Sequence, residues 1–265
     1  MKTLAYYTRI YFLIVSQYLK ARMQYKADFW ISTIGMVLQC LMGYFTLWVL
    51  FRSIPALAGW RYDELVFLYA FSLIAISPAS IVFDNAWSLR FHVQQGTFIR
   101  YYFKPLNMMF YYMSEMVNIK AFAQLVFAIV LLAVSSIALG ISWNITTILA
   151  FLGLVFSASL IMTGLLVMSA STAFWIVNSY SVLSFFVRMR DYSRYPVTIF
   201  TGFFRILFTF VIPIGFVAFF PSRAILRPAE AGWEVWLTPF IGAGLFAIAY
   251  RVWSRGTRIY SGTGS

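Results

Sequence analysis

The stretch AFAQLVFAIVLLAVSSIALGISWNITTILAFLGLVFSASLIMTGLLVMSASTAFWIVNSYSVLSFFV, Ala121–Val187, contains no Asp, Glu, Lys or Arg. A soluble fold has no use for so long an uncharged run. A bilayer core, by contrast, takes about 20 apolar residues for each helical crossing. The segment GISWN, Gly140–Asn144, interrupts the run as a turn. The stretch therefore reads as the end of one membrane span, 117–139, and the whole of the next, 145–177. The second is longer than one crossing needs and is expected to extend into water.

The rest of the chain agrees. Hydrophobic residues make up 62% and charged residues 11%, and mean hydropathy is +0.81. Soluble domains carry about 25% charged and about 45–50% apolar residues. Apolar runs at 29–51, 64–83, 197–220 and 235–253 bring the expected spans to six. The fold class is all-α and integral to the membrane: a single membrane domain, 29–253, preceded by residues 1–28 and followed by a tail, 254–265. In the N-terminal segment Leu4, Tyr7, Tyr11, Ile14 and Tyr18 recur at three- and four-residue steps among Arg9, Lys20, Arg22 and Lys26, with no small-residue cleavage site after them. That pattern predicts an amphipathic helix lying in the interface rather than a cleaved leader.

The net charge of +12 could suggest nucleic acid, but the cations sit in the gaps between apolar runs rather than on one aromatic-studded face. This is the positive-inside pattern. Arg90, Arg100 and Lys104 fall in the gap between spans two and three, Arg188, Arg190 and Arg194 in that between four and five, and Arg255 and Arg258 in the tail. The opposite gaps hold Arg52, Arg61, Arg223 and Arg227, offset by Asp63, Glu64, Glu230 and Glu234. Both termini are therefore expected in the cytoplasm.

Catalytic chemistry has no foothold in this pattern. There is no phosphate-cradling G-x-x-x-x-G-K-[ST], no H-E-x-x-H and no Cys/His cluster. No catalytic residue, metal ligand or cofactor site is assigned to this chain. The single Cys40 reads as an apolar filler and the single His92 as a packed or solvated loop residue. Glu115 and Lys120 stand at the start of the third span, where ionisable side chains act as anchors. Arg205 falls deeper, about eight residues into the fifth span. It either faces an interior path or snorkels to the surface. Pro213, Phe220 and Pro221 mark irregular backbone at the far end of that span, as a structural cap or an external gate.

Between spans two and three lies VQQGTFIRYYFKPLN, Val93–Asn107, a short basic and aromatic passage opened by Gly96 and closed by Pro105. It reads as a short helix set across its neighbours. Either it rests in the headgroup belt or its aromatic residues Phe98, Tyr101, Tyr102 and Phe103 anchor a partner, steered by Arg100 and Lys104.

Several pieces, in order, resemble the permeases of ABC-2-type transporters, in the bacterial branch where two permeases accompany one separate ATPase. They are Gly96-Thr97-Phe98, Lys104-Pro105-Leu106-Asn107, Arg194-Tyr195-Pro196, Ile212-Pro213-Ile214, Phe220-Pro221, and Trp253 followed by Tyr260-Ser261-Gly262. They span nearly the whole chain. One departure is Ile99, where relatives often carry an acid. The resemblance implies an ATP-driven exporter subunit in the bacterial cytoplasmic membrane, not itself an enzyme, with ATP and magnesium bound by a partner ATPase. It implies that residues 95–105 form a cytoplasmic coupling helix docking on that ATPase, through Gln95, Gly96, Thr97, Phe98, Arg100, Tyr101, Tyr102, Lys104 and Pro105. It further implies a substrate path between two permease chains along spans one, two and five. Tyr69, Phe200, Phe204 and Arg205 are candidate wall residues for amphipathic, drug-like, organic-cation or lipid cargo. A membrane anchor recruiting a cytoplasmic partner without transport is the rival reading. An ion-coupled carrier ranks last, since no Asp or Glu lies mid-span.

Overall fold

The computed structural model describes residues 2–262, with side chains from residue 5. Lys2 and Leu4 of the N-terminal pattern and Thr263–Ser265 of the tail lie outside the described side chains. Eleven α-helices, joined by short 3-10 turns, make up the described chain, and no strand longer than the single bridge Leu57–Trp60 occurs among the described residues.

Helix α1, Lys2–Arg22, turns its Tyr7, Tyr11 and Tyr18 toward the protein. Tyr7 and Tyr11 pack on Phe110, with ring centroids 4.8 and 6.3 Å apart, while Val15 and Tyr18 cover Ile81, Val117 and Ala121. Tyr6, Phe12 and Leu13 remain outward, as an amphipathic helix with one protein face and one apolar outer face requires.

Helices α2 (Lys26–Ser53) and α3 (Tyr62–Val82) follow, then α4 (Leu89–Gln94) and α5 (Met108–Ser114), short pieces across one end of the bundle. Asn107 caps α5, its Oδ1 accepting from the Phe110 N–H at 3.1 Å. Helix α6, Lys120–Ala138, stops at Gly140, whose φ of +63° turns the chain, and α7, Ile145–Ser171, starts under an Asn144 cap accepting from the Thr147 N–H at 2.9 Å. The Asn side chain satisfies an amide that the helix leaves open. The uncharged run thus becomes α6, α7 and most of α8 (Ser179–Arg190).

α2, α3, α6, α7 and α11 (Glu234–Ile259) are each long and apolar enough to cross a membrane. The fifth expected span is not one helix. Its residues form α9 (Gly202–Ile206), a π-turn (Leu207–Val211), and, after Pro213, a 3-10 turn leading to α10 (Phe219–Leu226). The two halves meet at 65°. Pro213 has no N–H for a helical ladder, so the break sits where the sequence places it. Counted as one bent crossing, the segment makes six. The last helix also runs past its expected end at Trp253 to Ile259, because nothing in SRGTRI stops it and Gly256 packs against Phe174.

α7 and α11 make the closest helix pair. A Cβ on Gly242 would lie 2.5 Å from the Ser157 carbonyl oxygen, and one on Gly164 3.0 Å from the Leu245 backbone. Close approach through small residues is how helices associate where lipid offers no hydrophobic drive. α3 forms the buried centre, with Leu65, Phe67, Leu68 and Phe71 fully inside. By contrast α2 leaves Ile31, Ile34, Leu38 and Phe45 outward.

Candidate functional site

The passage that the sequence singles out is split by its own glycine. Gln95 ends α4, Gly96 adopts φ +71°, and Thr97–Phe103 winds as a 3-10 turn before extended Lys104 and Pro105. The left-handed glycine reverses the direction of the chain, which only Gly does without strain. The 3-10 winding then sends successive aromatics to opposite sides. Phe98 and Tyr101 are fully buried, whereas Phe103 is 79% exposed and Tyr102, Ile99, Arg100 and Lys104 face outward. Phe98 and Tyr101 are therefore not surface anchors. This part of the expectation is corrected, and the reason is packing: their rings complete a cluster with Tyr112, Phe174, Trp253 and Tyr260, with centroids 4.9–6.3 Å apart.

Hydroxyls lock this cluster. Asn85 Nδ2 donates to the Tyr112 carbonyl at 2.6 Å, and the Tyr112 hydroxyl sits 3.1 Å from the Asn85 carbonyl and 3.0 Å from His92 Nδ1. His92, read from sequence as a packed or solvated loop residue, is packed into the turn. Its burial, and then the Arg100 charge, lower its pKa, so it stays neutral. Arg100 Nη2 pairs with Glu115 Oε2 at 3.0 Å, and the Tyr101 hydroxyl donates to the same carboxylate. The Tyr102 hydroxyl donates to the Thr257 carbonyl, and Gly262 packs on Ile99. The last turn of α11 and the residues after it thereby brace the passage. What remains outward is Gln95, Thr97, Ile99, Arg100, Tyr102, Phe103, Lys104 and Pro105: a basic and aromatic face on a rigid mount.

The opposite end of the bundle is held by charge. Arg227 reaches Glu64 with two N–H groups, at 2.9 and 2.8 Å, and the Gly59 carbonyl at 2.8 Å. The Arg61 N–H adds a third donor to Glu64 at 2.8 Å. Arg223 pairs with Glu234 at 3.2 Å. Beneath this clamp, Pro213, Phe220 and Pro221 are all buried, and the Phe216 and Phe220 rings lie 4.5 Å apart. The residues expected as a structural cap or an external gate are buried here, in an aromatic and proline plug.

The expected wall residues do not come together. Tyr69 lines a cavity of about 480 Å³ among α2, α3, α6, α7 and α8, donating its hydroxyl to the Cys40 carbonyl at 2.9 Å. Phe200 packs edge-on against Tyr192 and Phe208 instead. Phe204 and Arg205 are exposed on α9, away from that cavity. Two residues that sequence reasoning left in a solvated gap, Arg190 and Arg194, do line it. Helix α8 folds back along α7, so the Ser193 hydroxyl meets Ser72, halfway along α3, at 2.8 Å. A spacing of four after an apolar stretch was the available signal for a shared face.

The family model described as ABC-2 family transporter protein matches residues 37–264. No curated protein and no solved structure matches the chain.

Proposed function

The chain belongs to the ABC-2 transporter family, and from that premise we propose that it is the membrane permease subunit of an ATP-driven exporter. A separate ATP-binding-cassette ATPase, carrying ATP and magnesium, docks on the outward face of residues 95–105. A second permease chain completes the route, with the exposed aromatic side of α9 and the π-turn after it (Phe203, Phe204, Phe210) and the outer face of α2 as its contact. By the cation bias, the α4–α5 end and both termini lie in the bacterial cytoplasm.

The observation that carries this reading is the mounting of Phe103, Arg100 and Lys104. They project from a turn whose inner residues are clamped by rings to α5, to the turn that follows α7 and to α11. A push on that face moves whole helices rather than a loose loop, which is what transmission of a domain motion needs. Aromatic and arginine side chains are also the types that dominate interface energetics. At the other end, the Pro213 break gives the segment a place to bend when the helices move. Amphipathic cargo then leaves past the plug.

Purification of the tagged chain from native membranes in mild detergent tests this. An ATP-binding-cassette subunit should co-purify with the wild type and be lost from Arg100→Ala/Phe103→Ala. If the chain comes out alone under conditions that keep a known transporter whole, the exporter reading fails and residues 95–105 are reread as a membrane-surface segment.

A further inference from the structure

We infer that the cavity among α2, α3, α6, α7 and α8 binds the anionic head of an amphiphile, with Arg190 and Arg194 as the recognising pair. This deepens the exporter reading, on which it rests for the cargo's direction of travel, and among the expected amphipathic cargoes it favours an anion over an organic cation.

The argument begins with placement. Arg194 reaches the middle of α2, where its guanidinium nitrogen lies 3.3 Å from the position a Cβ on Gly43 would occupy. Ser193 fixes the same turn to Ser72 at the midpoint of α3. Charge at that depth of a membrane protein is costly and is retained where it pairs or lines a polar cavity. Pairing falls short. Asp191 is the carboxylate beside both arginines, 3.4 Å from Arg194 and 3.8 Å from Arg190. One acid against two guanidiniums leaves a positive charge over.

The donors are left over too. Arg194 spends its Nε on the Asp191 carbonyl at 2.8 Å, but Arg190 Nε is buried with no hydrogen-bond partner among the described residues. Guanidinium groups offer several N–H donors in a planar fork that suits carboxylate and phosphate oxygens. The cavity wall also carries apolar side chains, Met36, Leu73, Met162, Leu165 and Phe186, beside the polar Gln39, Tyr69 and Ser72. A head of one negative charge with an alkyl or ring-system tail satisfies both parts. At the other end of the cavity Asp84 and Lys120 offset one another, with Asn118 donating to Asp84 at 2.9 Å. That end therefore selects neither sign.

The test uses the purified full-length chain in neutral detergent, with bound ligand counted by native mass spectrometry. Laurate and dodecyltrimethylammonium share a tail and differ in the sign of the head; phosphatidylglycerol and phosphatidylcholine do the same service for membrane lipid. Laurate should bind in preference to the cation, and Arg190→Gln and Arg194→Gln should each weaken it about tenfold, as expected for a lost charge-assisted hydrogen bond. Arg190→Lys should keep part of the affinity. Asp191→Asn, at an exposed side chain, leaves both arginines unopposed and should tighten laurate several-fold. The same dependence for phosphatidylglycerol, without laurate binding, supports the site with lipid as the source. No preference for either anion, or a preference unchanged by Arg194→Gln and Asp191→Asn, overturns it. Neither result depends on an ATPase, so anion binding by a chain that recruits no ATPase would sink only the exporter reading.

Discussion

The two ends of the bundle are held together by different physics. At the α4–α5 end, Phe98, Tyr101, Tyr112 and Trp253 interlock as buried rings with the half-buried Phe174 and Tyr260, and one ion pair, Arg100–Glu115, borders them. At the other, a handful of ion pairs centred on Arg227–Glu64 spans backbone that is neither regular nor continuous. Ring packing is short-ranged and sums over many contacts, so it yields only if a whole ring is withdrawn. An ion pair can be exchanged for another, or for water, in one step. In the proposed transport cycle, the first end would carry a displacement unchanged and the second would open and close.

The largest test of that contrast removes a ring. Phe98→Ala should cost about 3–5 kcal/mol of stability, read as a lowered thermal midpoint in detergent, and should release Tyr260 and the end of α11 to faster hydrogen exchange. If the loss were small and confined to residues 96–103, the cluster would not be a unit. Next, Arg227→Met strands Glu64, which is 5% exposed. The expected loss is about 3 kcal/mol, the lower end of the range for breaking a buried pair because Arg227 itself is partly wet. Adding Glu64→Gln should recover much of it, an exchange that no second substitution offers at Phe98.

The spans were readable because hydrophobic length is a local property of the chain, and the uncharged run needed no partner to interpret. Pro213 marked the break in the same way. Direction on the 95–105 passage was not readable: aromatic composition is the same whether a ring points inward or outward, and the deciding partners, Trp253 and Tyr260, lie far along the chain. The bracing of the passage by Gly262 and Thr257 escaped for that reason, although the matched pieces Gly96-Thr97-Phe98 and Tyr260-Ser261-Gly262 are the ones that meet. Arg190 and Arg194 were misplaced by an otherwise sound rule. Charges between apolar runs are usually solvated, but α8 carries these two back into the bundle.

Smaller effects sharpen the comparison. Tyr102→Phe loses the hydrogen bond to the Thr257 carbonyl and should cost about 1 kcal/mol, with the Tyr102–Tyr260 stacking kept. Phe103→Ala should change stability by no more than about 0.5 kcal/mol while reducing ATPase recovery, separating the outward ring from the inward one. Acid gives the smallest shift. His92 has its pKa lowered, so the stability it contributes is whole above its ordinary pKa of about 6.5 and is lost as pH falls through the lowered value. The thermal midpoint should drop between pH 7 and pH 5 more in the wild type than in His92→Phe; equal drops would place the acid sensitivity elsewhere.

The bracing of the 95–105 passage by Tyr260 and Gly262 also sets an order in time. Those residues are made long after the turn they complete. A nascent chain with its first membrane helices already inserted still presents an unfinished 95–105 face, with Phe98 lacking the Trp253 and Tyr260 rings that cover it. Only a chain translated through the end of α11 can offer a formed surface. Under the proposed function, prematurely terminated products would thereby be kept from competing for the ATPase.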